Sequence, residues 1–321
     1  MTDVSIIIPT HNRASFLMQT ITSLYALKIN RNTFEIIVVD NASTDNTKHL
    51  VKEFQEMKTC FKTDLVYIYE ERIGLHFARH AGAKVSQGEI LVYIDDDVIC
   101  DRNFLTEVLK SYEDPDVGCV GGKILPKWEV EPPDWIPMFP KWYLSILDEG
   151  GEEREVQWIY GCNFSIRKEL LFKLGGFNPD AFGDKNIWWM RGDGEIGLLR
   201  KVHGIGKKVI YNPKAVVWHF IPKERLTVAY FQERAFKSGI EASFSKYHYS
   251  SDSLRITKLL FHVGAFTLYY IFHSVLALIP NRNNIKHKIT SSYYKACFLY
   301  ELKLAMDKDL QKIVKKEKWL E

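Results

Sequence analysis

Residues 91–100 read LVYIDDDVIC. Ile90 to Ile94 have the composition of a buried β-strand, yet the run passes straight into three carboxylates, Asp95, Asp96 and Asp97, and then turns apolar again. Desolvating an unpaired carboxylate is costly and like charges in contact repel, so such a cluster persists only where something positive sits against it. A divalent cation is the obvious candidate. An isolated acidic triplet reads equally well as a solvated β-turn; the apolar strand before it favours a site.

The same grammar extends outward from this strand. Residues 4–8, VSIII, form an apolar run ended by Pro9, and Phe16, Leu17, Ile21, Leu24 and Leu27 then recur at helical spacing. FEIIVVD (34–40) is a second strand ending in a carboxylate, with a capped helix after it in NASTDNTKHLVKEF. LVYIYE (65–70) is a third strand, and LHFARHAGAKVSQ is a helix leading back to the acidic triplet. Strand and helix alternating about every 30 residues predict βαβ units and an α/β, Rossmann-like doubly wound, mostly parallel sheet. Polar residues gather just after the strand ends, where such sheets bind ligands.

From Gly121 to Gly161 the pattern breaks. Pro132, Pro133, Pro137 and Pro140 stand among Trp128, Trp135 and Trp142, which predicts a long ordered loop or lid over about residues 123–150. A strand and helix resume in WIYGCNFSIRKELLFKLGGF, followed by a loop through Asp184, a helix in RGDGEIGLLRKVHG, and two short β segments in KKVIYNPKAVVWHF. The expected division is residues 1–225 as one domain, with a nucleotide-binding half to about 120 and an acceptor half beyond it, and 226–321 as a helical extension.

Bulk composition bounds the function. The 321 residues are 46% hydrophobic with a net charge of +3, which fits a globular core and gives no nucleic-acid footprint. From Asn281 onward ten Lys/Arg face five Asp/Glu, so this tail is +5 and the remainder −2. Five scattered cysteines without a CxxC pair argue for a reducing compartment and against structural zinc. The first apolar run is too short for a signal peptide, which places the main body in the cytoplasm. Leu259–Pro280 is 22 residues without a formal charge, flanked by Arg255, Lys258, Arg282, Lys286 and Lys288. It suits a helix crossing a membrane or lying in its cytosolic leaflet; Gly264, Ser274, two His and two Tyr dilute it toward an ordinary packed helix.

IIIPTHNR, EIIVVDNASTD, the aspartate triplet, GGF at 175–177, Asp193-x-Glu195 and VVWH at 216–219 occur in the order seen in family 2 glycosyltransferases of the GT-A fold, which the chain resembles over about residues 1–220. The resemblance implies an inverting transferase that moves a sugar from a nucleoside-diphosphate donor, usually UDP-linked, with Mg²⁺ or Mn²⁺. A diphosphate leaving group gains negative charge, which a divalent ion on hard oxygen ligands stabilises. By resemblance Asp97 is the metal ligand and His219 an additional one. Asp95 meets the ribose or nucleotide, Asp96 does either, Asp40 accepts a hydrogen bond from the base, and Pro9, Thr10 and His11 line the base pocket. His11 stands where relatives often carry Tyr, and His80 where they commonly carry Asn. Arg13 and Arg79 are candidate contacts to base or phosphate, with surface ion pairs as their plain alternative.

Inversion needs a base for the acceptor hydroxyl opposite the leaving group. The family carries it in an acidic motif whose first residue is replaced here by Gly192, so Asp193 matches the base and Glu195 is the runner-up. Both alternatively cap a helix. Trp188 and Trp189 stack on a sugar ring or pack in the core. The Trp/Pro-rich loop closes over the donor, holds the acceptor or rests its indoles at a membrane interface, and with the apolar tail it points to a glycan or lipid-linked acceptor. Two rivals differ in class: a catalytically silent nucleotide- or carbohydrate-binding protein of the same fold, which Gly192 keeps open, and a nucleotidyltransferase, whose glycine- and Lys/Arg-rich phosphate loop PTHNRASF lacks. No GxGxxG follows any strand, which disfavours a dinucleotide oxidoreductase.

Overall fold

A computed structural model of the chain describes residues 2–29, 33–56, 63–180, 189–250, 256–280 and 283–320. Arg255, Arg282, Cys60, Asp184 and Trp188 lie outside the described residues.

Side chains alternate across the strands, and that alternation builds the layers. In β1 (Val4–Thr10), Val4, Ile6 and Ile8 pack on α1 (Ala14–Tyr25) and α2 (Thr47–Glu56), joined by β2 residues Ile36 and Val38 (β2, Phe34–Asp40). Ile7, Ile37 and Val39 face the other way, toward α3 (Leu75–Val85). Gly82 permits that contact, since a Cβ there would lie 2.5 Å from the Ile7 side chain. The remaining strands are β3 (Asp64–Tyr69), β4 (Ile90–Tyr93), β5 (Val98–Cys100), β6 (Val117–Trp128), β7 (Arg154–Glu155), β8 (Phe164–Arg167) and β9 (Lys208–Ile221). Helix α4 (Phe104–Ser111) lies in the first apolar layer, and α5 (Lys168–Lys173) and α6 (Gly194–Gly204) in the second.

Sheet order is β3-β2-β1-β4-β8-β6-β9-β5, with β7 on β9. Strands β3, β2, β1 and β4 are mutually parallel; β8 is antiparallel to β4 and β6, and β6 runs parallel to β9. The mixed half was not legible as such, because an antiparallel insertion leaves no periodic trace.

Two local expectations change. KKVIYNPKAVVWHF is one strand, β9, rather than two segments: its pairing with β6 shifts register between Gly122 and Ile124, so the chain around Pro213 bulges and resumes. The predicted lid begins as strand β6, and beyond Trp128 its aromatic residues are packed rather than open. Trp135, Phe139 and Tyr143 close on Phe231 at ring-centroid distances of 4.9–5.3 Å.

The C-terminal region is helical: α7 (Val228–His248), α8 (Ile256–Leu276), α9 (Asn284–Met306) and α10 (Lys308–Val314). These helices share a core of Ile240, Phe244, Tyr247, Leu259, Tyr300 and Leu304. The chain end returns to the sheet domain, where the Trp319 N–H donates to the Gly175 carbonyl at 2.8 Å.

Candidate active site

The chain runs outward through β1, β2 and β3 and then re-enters beside β1 as β4, so the carboxyl ends of β1 and β4 flank a topological switch point. Thr10 ends β1 and Asp95–Asp97 follow β4, which brings both to one edge. The Thr10 hydroxyl donates to Asp96 Oδ2 at 2.7 Å, and Thr20 Oγ1 of α1 donates to the Asp96 carbonyl at 2.8 Å. Asp96 is therefore held inward, and burial pushes its carboxyl up to about 7 while Arg13 opposes that shift.

Asp97 is buried between two arginines and a histidine. Its Oδ2 accepts from Arg13 Nη2 at 2.6 Å and from Arg225 Nη2 at 2.9 Å, and His219 Nε2 stands 3.4 Å away. Burial would raise this carboxyl, but Arg13 and Arg225 hold it well below the usual carboxylate range. Arg13 also reaches Asp96 Oδ1 at 2.7 Å, so its fork spans both acids. His219 Nδ1 donates to the Leu144 carbonyl at 3.0 Å, which leaves Nε2 as the acceptor; Arg225 Nη1 donates to it at 2.7 Å. Asp97 Oδ1 is buried with no hydrogen-bond partner among the described residues.

An orphaned carboxylate oxygen in the turn before β5 and the His219 imidazole of the neighbouring β9, once its Nε2 is released by Arg225, fit a divalent ion. Among the described residues no group of three or more His, Cys, Asp or Glu is arranged to hold one. That is compatible with a hard cation bound through one or two protein ligands and completed by substrate phosphates.

Asp95 lines a cavity of about 830 Å³ together with Arg79, Asp180, Asp193 and Glu195. Burial and Asp97 push its carboxyl up, against Arg79. Arg79 is buried rather than offered to a base: Nη1 donates to Asp180 Oδ2 at 2.9 Å and lies 3.4 Å from Glu195 Oε2. It ties α3 to the start of α6.

Asp193 precedes α6, but its side chain makes no cap hydrogen bond. It accepts from Asn178 Nδ2 at 2.7 Å, Tyr249 Oη at 2.8 Å and Ser245 Oγ at 3.2 Å, two of these from α7 and the residue just past it. Glu195 is more open, with its side chain 22% accessible, and accepts the Gly161 N–H at 3.1 Å. Gly192 has a physical reason: a Cβ there would lie 2.8 Å from the Pro179 carbonyl and 3.1 Å from Phe244 of α7. Phe244 occupies the space a side chain would need.

The residues expected at the base lie on a stapled pair of loops. Asn12, with φ 55°, accepts from the Thr44 N–H at 2.7 Å through Oδ1 while its own N–H donates to Ser43 Oγ at 2.9 Å. His11 contacts the Asn41 carbonyl at 2.6 Å through Nδ1 and is exposed; Pro9 is buried. Asp40 is buried, accepting from the Ser43 N–H and Tyr67 Oη, each at 2.8 Å. His80 Nε2 accepts the Phe177 N–H at 2.9 Å and so fixes the GGF turn. Trp189 packs with the C-terminal helices, under Lys303 Nζ at 4.0 Å from its ring.

Sequence reading missed Arg225, Asn12, Asn178 and the contribution of α7. For Arg225 a signal existed, six residues past His219 on the turn leaving β9, but nothing in composition separates it from a surface cation.

Residues 5–175 match the family model for glycosyl transferase family 2. The glucosyl-dolichyl phosphate glucuronosyltransferase of Haloferax volcanii is 24% identical over 243 residues, covering 74% of this chain and 75% of that protein. A validoxylamine A glucosyltransferase of Streptomyces hygroscopicus is 24% identical over 63% of this chain, which spans 52% of that relative. Among solved structures, the mannosyltransferase PcManGT of Pyrobaculum calidifontis, in complex with GDP-Man and Mn²⁺, shares the fold with a TM-score of 0.60 at 20% identity, covering 93% of this chain and 86% of its own. With its matched segment spanning more than half the sequence and ending in the GGF turn, the chain belongs to glycosyl transferase family 2 and is a transferase enzyme.

Proposed function

We propose that the protein is a divalent-metal-dependent, inverting glycosyltransferase that moves a sugar from a nucleoside-diphosphate donor to a glycan or lipid-linked acceptor at a membrane surface. The observation that carries this reading is Asp97: a buried carboxylate with an unsatisfied Oδ1, next to His219, whose Nε2 accepts from Arg225 and would exchange that bond for a metal ion. Asp97 and His219 would hold Mg²⁺ or Mn²⁺, which supplies charge stabilisation for the departing diphosphate. Arg13 and Arg225 add two permanent cations at the same place, suited to phosphate oxygens. The loops holding His11 and Asp40 would seat the base, and Asp95 the ribose.

Asp193 would take the proton of the acceptor hydroxyl, kept in place by Asn178, Tyr249 and Ser245. Glu195 is the second reading for that role, favoured by its greater exposure to the cavity. The donor is taken as UDP-linked; the mannosyltransferase of the same fold was solved with GDP-Man and Mn²⁺, so GDP-sugars belong in the test. Membrane placement rests on α8, whose Leu259–Leu276 window is 6% buried.

The decisive assay incubates purified protein with UDP- and GDP-sugars and measures nucleoside diphosphate release with Mn²⁺, Mg²⁺ or EDTA. Release that requires the metal supports the proposal. Tight nucleotide binding with no release from any donor, across acceptor panels, supports the silent binder instead.

A further inference from the structure

Part of the cavity wall comes from outside the family-matched segment: Arg191 before α6, and Arg234, Lys237 and Glu241 on α7. The spacing of three and four residues puts the α7 trio on one helical face. Buried guanidinium N–H groups are costly to leave unmade. Nε of Arg191 and Nε of Arg234 are nonetheless buried with no hydrogen-bond partner among the described residues, and Arg234 makes a long 3.4 Å contact to the Trp142 carbonyl through Nη2. Both side chains line the cavity, and nothing among the described residues meets those two donors.

The other cavity cations are engaged. Arg79 faces Asp180 and Glu195, Arg200 lies 4.4 Å from the Tyr249 ring centre, and Lys237 pairs with Glu233 at 2.6 Å toward solvent. Glu241 lines the same wall; burial pushes its carboxyl up to about 7, with Arg191 and Arg234 opposing and Glu195 and Asp193 adding. Trp158, 42% exposed, and Trp142, which stacks on Tyr143 at 4.1 Å, line the same space and offer aromatic surface for a sugar ring. The cavity lining includes Asp95 but neither Asp97 nor His219, which sets this wall apart from the cation site.

Resting on the transferase reading above, we propose that Arg191 and Arg234 bind a phosphate carried by the acceptor, with Trp158 and Trp142 against its sugar. The phosphate belongs either to a lipid carrier or to a soluble sugar phosphate. Forked guanidinium recognition suits both.

The test uses the full chain with Mn²⁺ and saturating UDP or GDP, so that the donor site is filled, and reads binding of four probes by calorimetry: farnesyl phosphate, farnesol, glucose 1-phosphate and glucose. The expected result is at least about tenfold tighter binding of a phosphate probe than of its uncharged counterpart, as charge-assisted hydrogen bonds provide. A preference confined to the farnesyl pair assigns the lipid source; one shared by or confined to the glucose pair assigns the sugar phosphate. Arg191→Gln and Arg234→Gln should each reduce the preference by about tenfold with nucleotide affinity unchanged, and two separate variants guard against misfolding of one. Equal affinity for charged and uncharged probes overturns the assignment. So does a loss of nucleotide affinity in both folded variants, which would give these arginines to the donor diphosphate. Nucleotide binding is read on its own: a wild-type chain that binds neither UDP nor GDP overturns the transferase reading, whereas one that binds nucleotide without phosphate preference overturns only the acceptor-phosphate assignment.

Discussion

Asp193 and Glu195 sit two residues apart at the start of α6 and are held by opposite chemistry. Asp193 accepts from an amide and two hydroxyls, and Glu195 faces a buried arginine. If Asp193 is the base, Asp193→Asn should lower turnover by about 10² to 10⁴-fold with donor affinity kept, and Glu195→Gln should cost less. The reverse order in steady-state kinetics assigns the base to Glu195. His80 makes a second residue-scale claim. Burial, with His76 and nearby cations, lowers its pKa from 6.5 to about 3, so the folded state holds it neutral. Its stabilising contribution is present above pH 6.5 and is lost as pH falls toward 3. The fall in Tm between pH 7 and 5 should be shallower in His80→Asn than in wild type; identical slopes would contradict it. The aspartate triplet was legible because charge after an apolar strand demands an explanation. Arg225 was not, since its contact with Asp97 spans 128 residues and follows no period.

Among the elements, α7 departs furthest from what periodicity predicts. It supplies core to the helical region through Ile240 and Phe244, holds Asp193 through Ser245, and walls the cavity through Arg234 and Glu241. The strand-helix alternation made β1 to β4 readable, because each element carries its own apolar pattern. The partners of α7 depend instead on tertiary docking, which no local pattern encodes. Gly192 shows the consequence: the missing acid is explained by Phe244, far downstream on α7. Gly192→Glu should therefore destabilise the protein by about 1–3 kcal/mol through overpacking and fail to raise activity. A melting temperature equal to wild type, with faster turnover, would show that the position has room for the acid.

At the scale of the whole molecule, α8 joins the catalytic domain to an apolar surface. One side docks on α9: His262 lies 3.3 Å from buried Glu301, the Tyr269 and Tyr294 rings stack at 4.9 Å, and His273 meets His287 at 2.9 Å. The other side exposes Phe261, Leu268, Ile271, Phe272 and Val275, each more than half accessible. A helix docked along its length presents one face, which suits immersion in the plane of a membrane surface. Phe261→Ser/Leu268→Ser/Phe272→Ser should cut co-sedimentation with anionic vesicles several-fold without changing turnover of soluble donor; unchanged sedimentation would leave α8 without that role. Both the apolar face of α8 and the arginine wall matter only if the cleft performs sugar transfer with a cation at Asp97. Mn²⁺-dependent release of nucleoside diphosphate, compared between wild type and Asp97→Asn, tests this most directly. The expected result is strict metal dependence in wild type and a loss of at least about 10²-fold in the variant. Equal release by the two proteins, undiminished by EDTA, would contradict it.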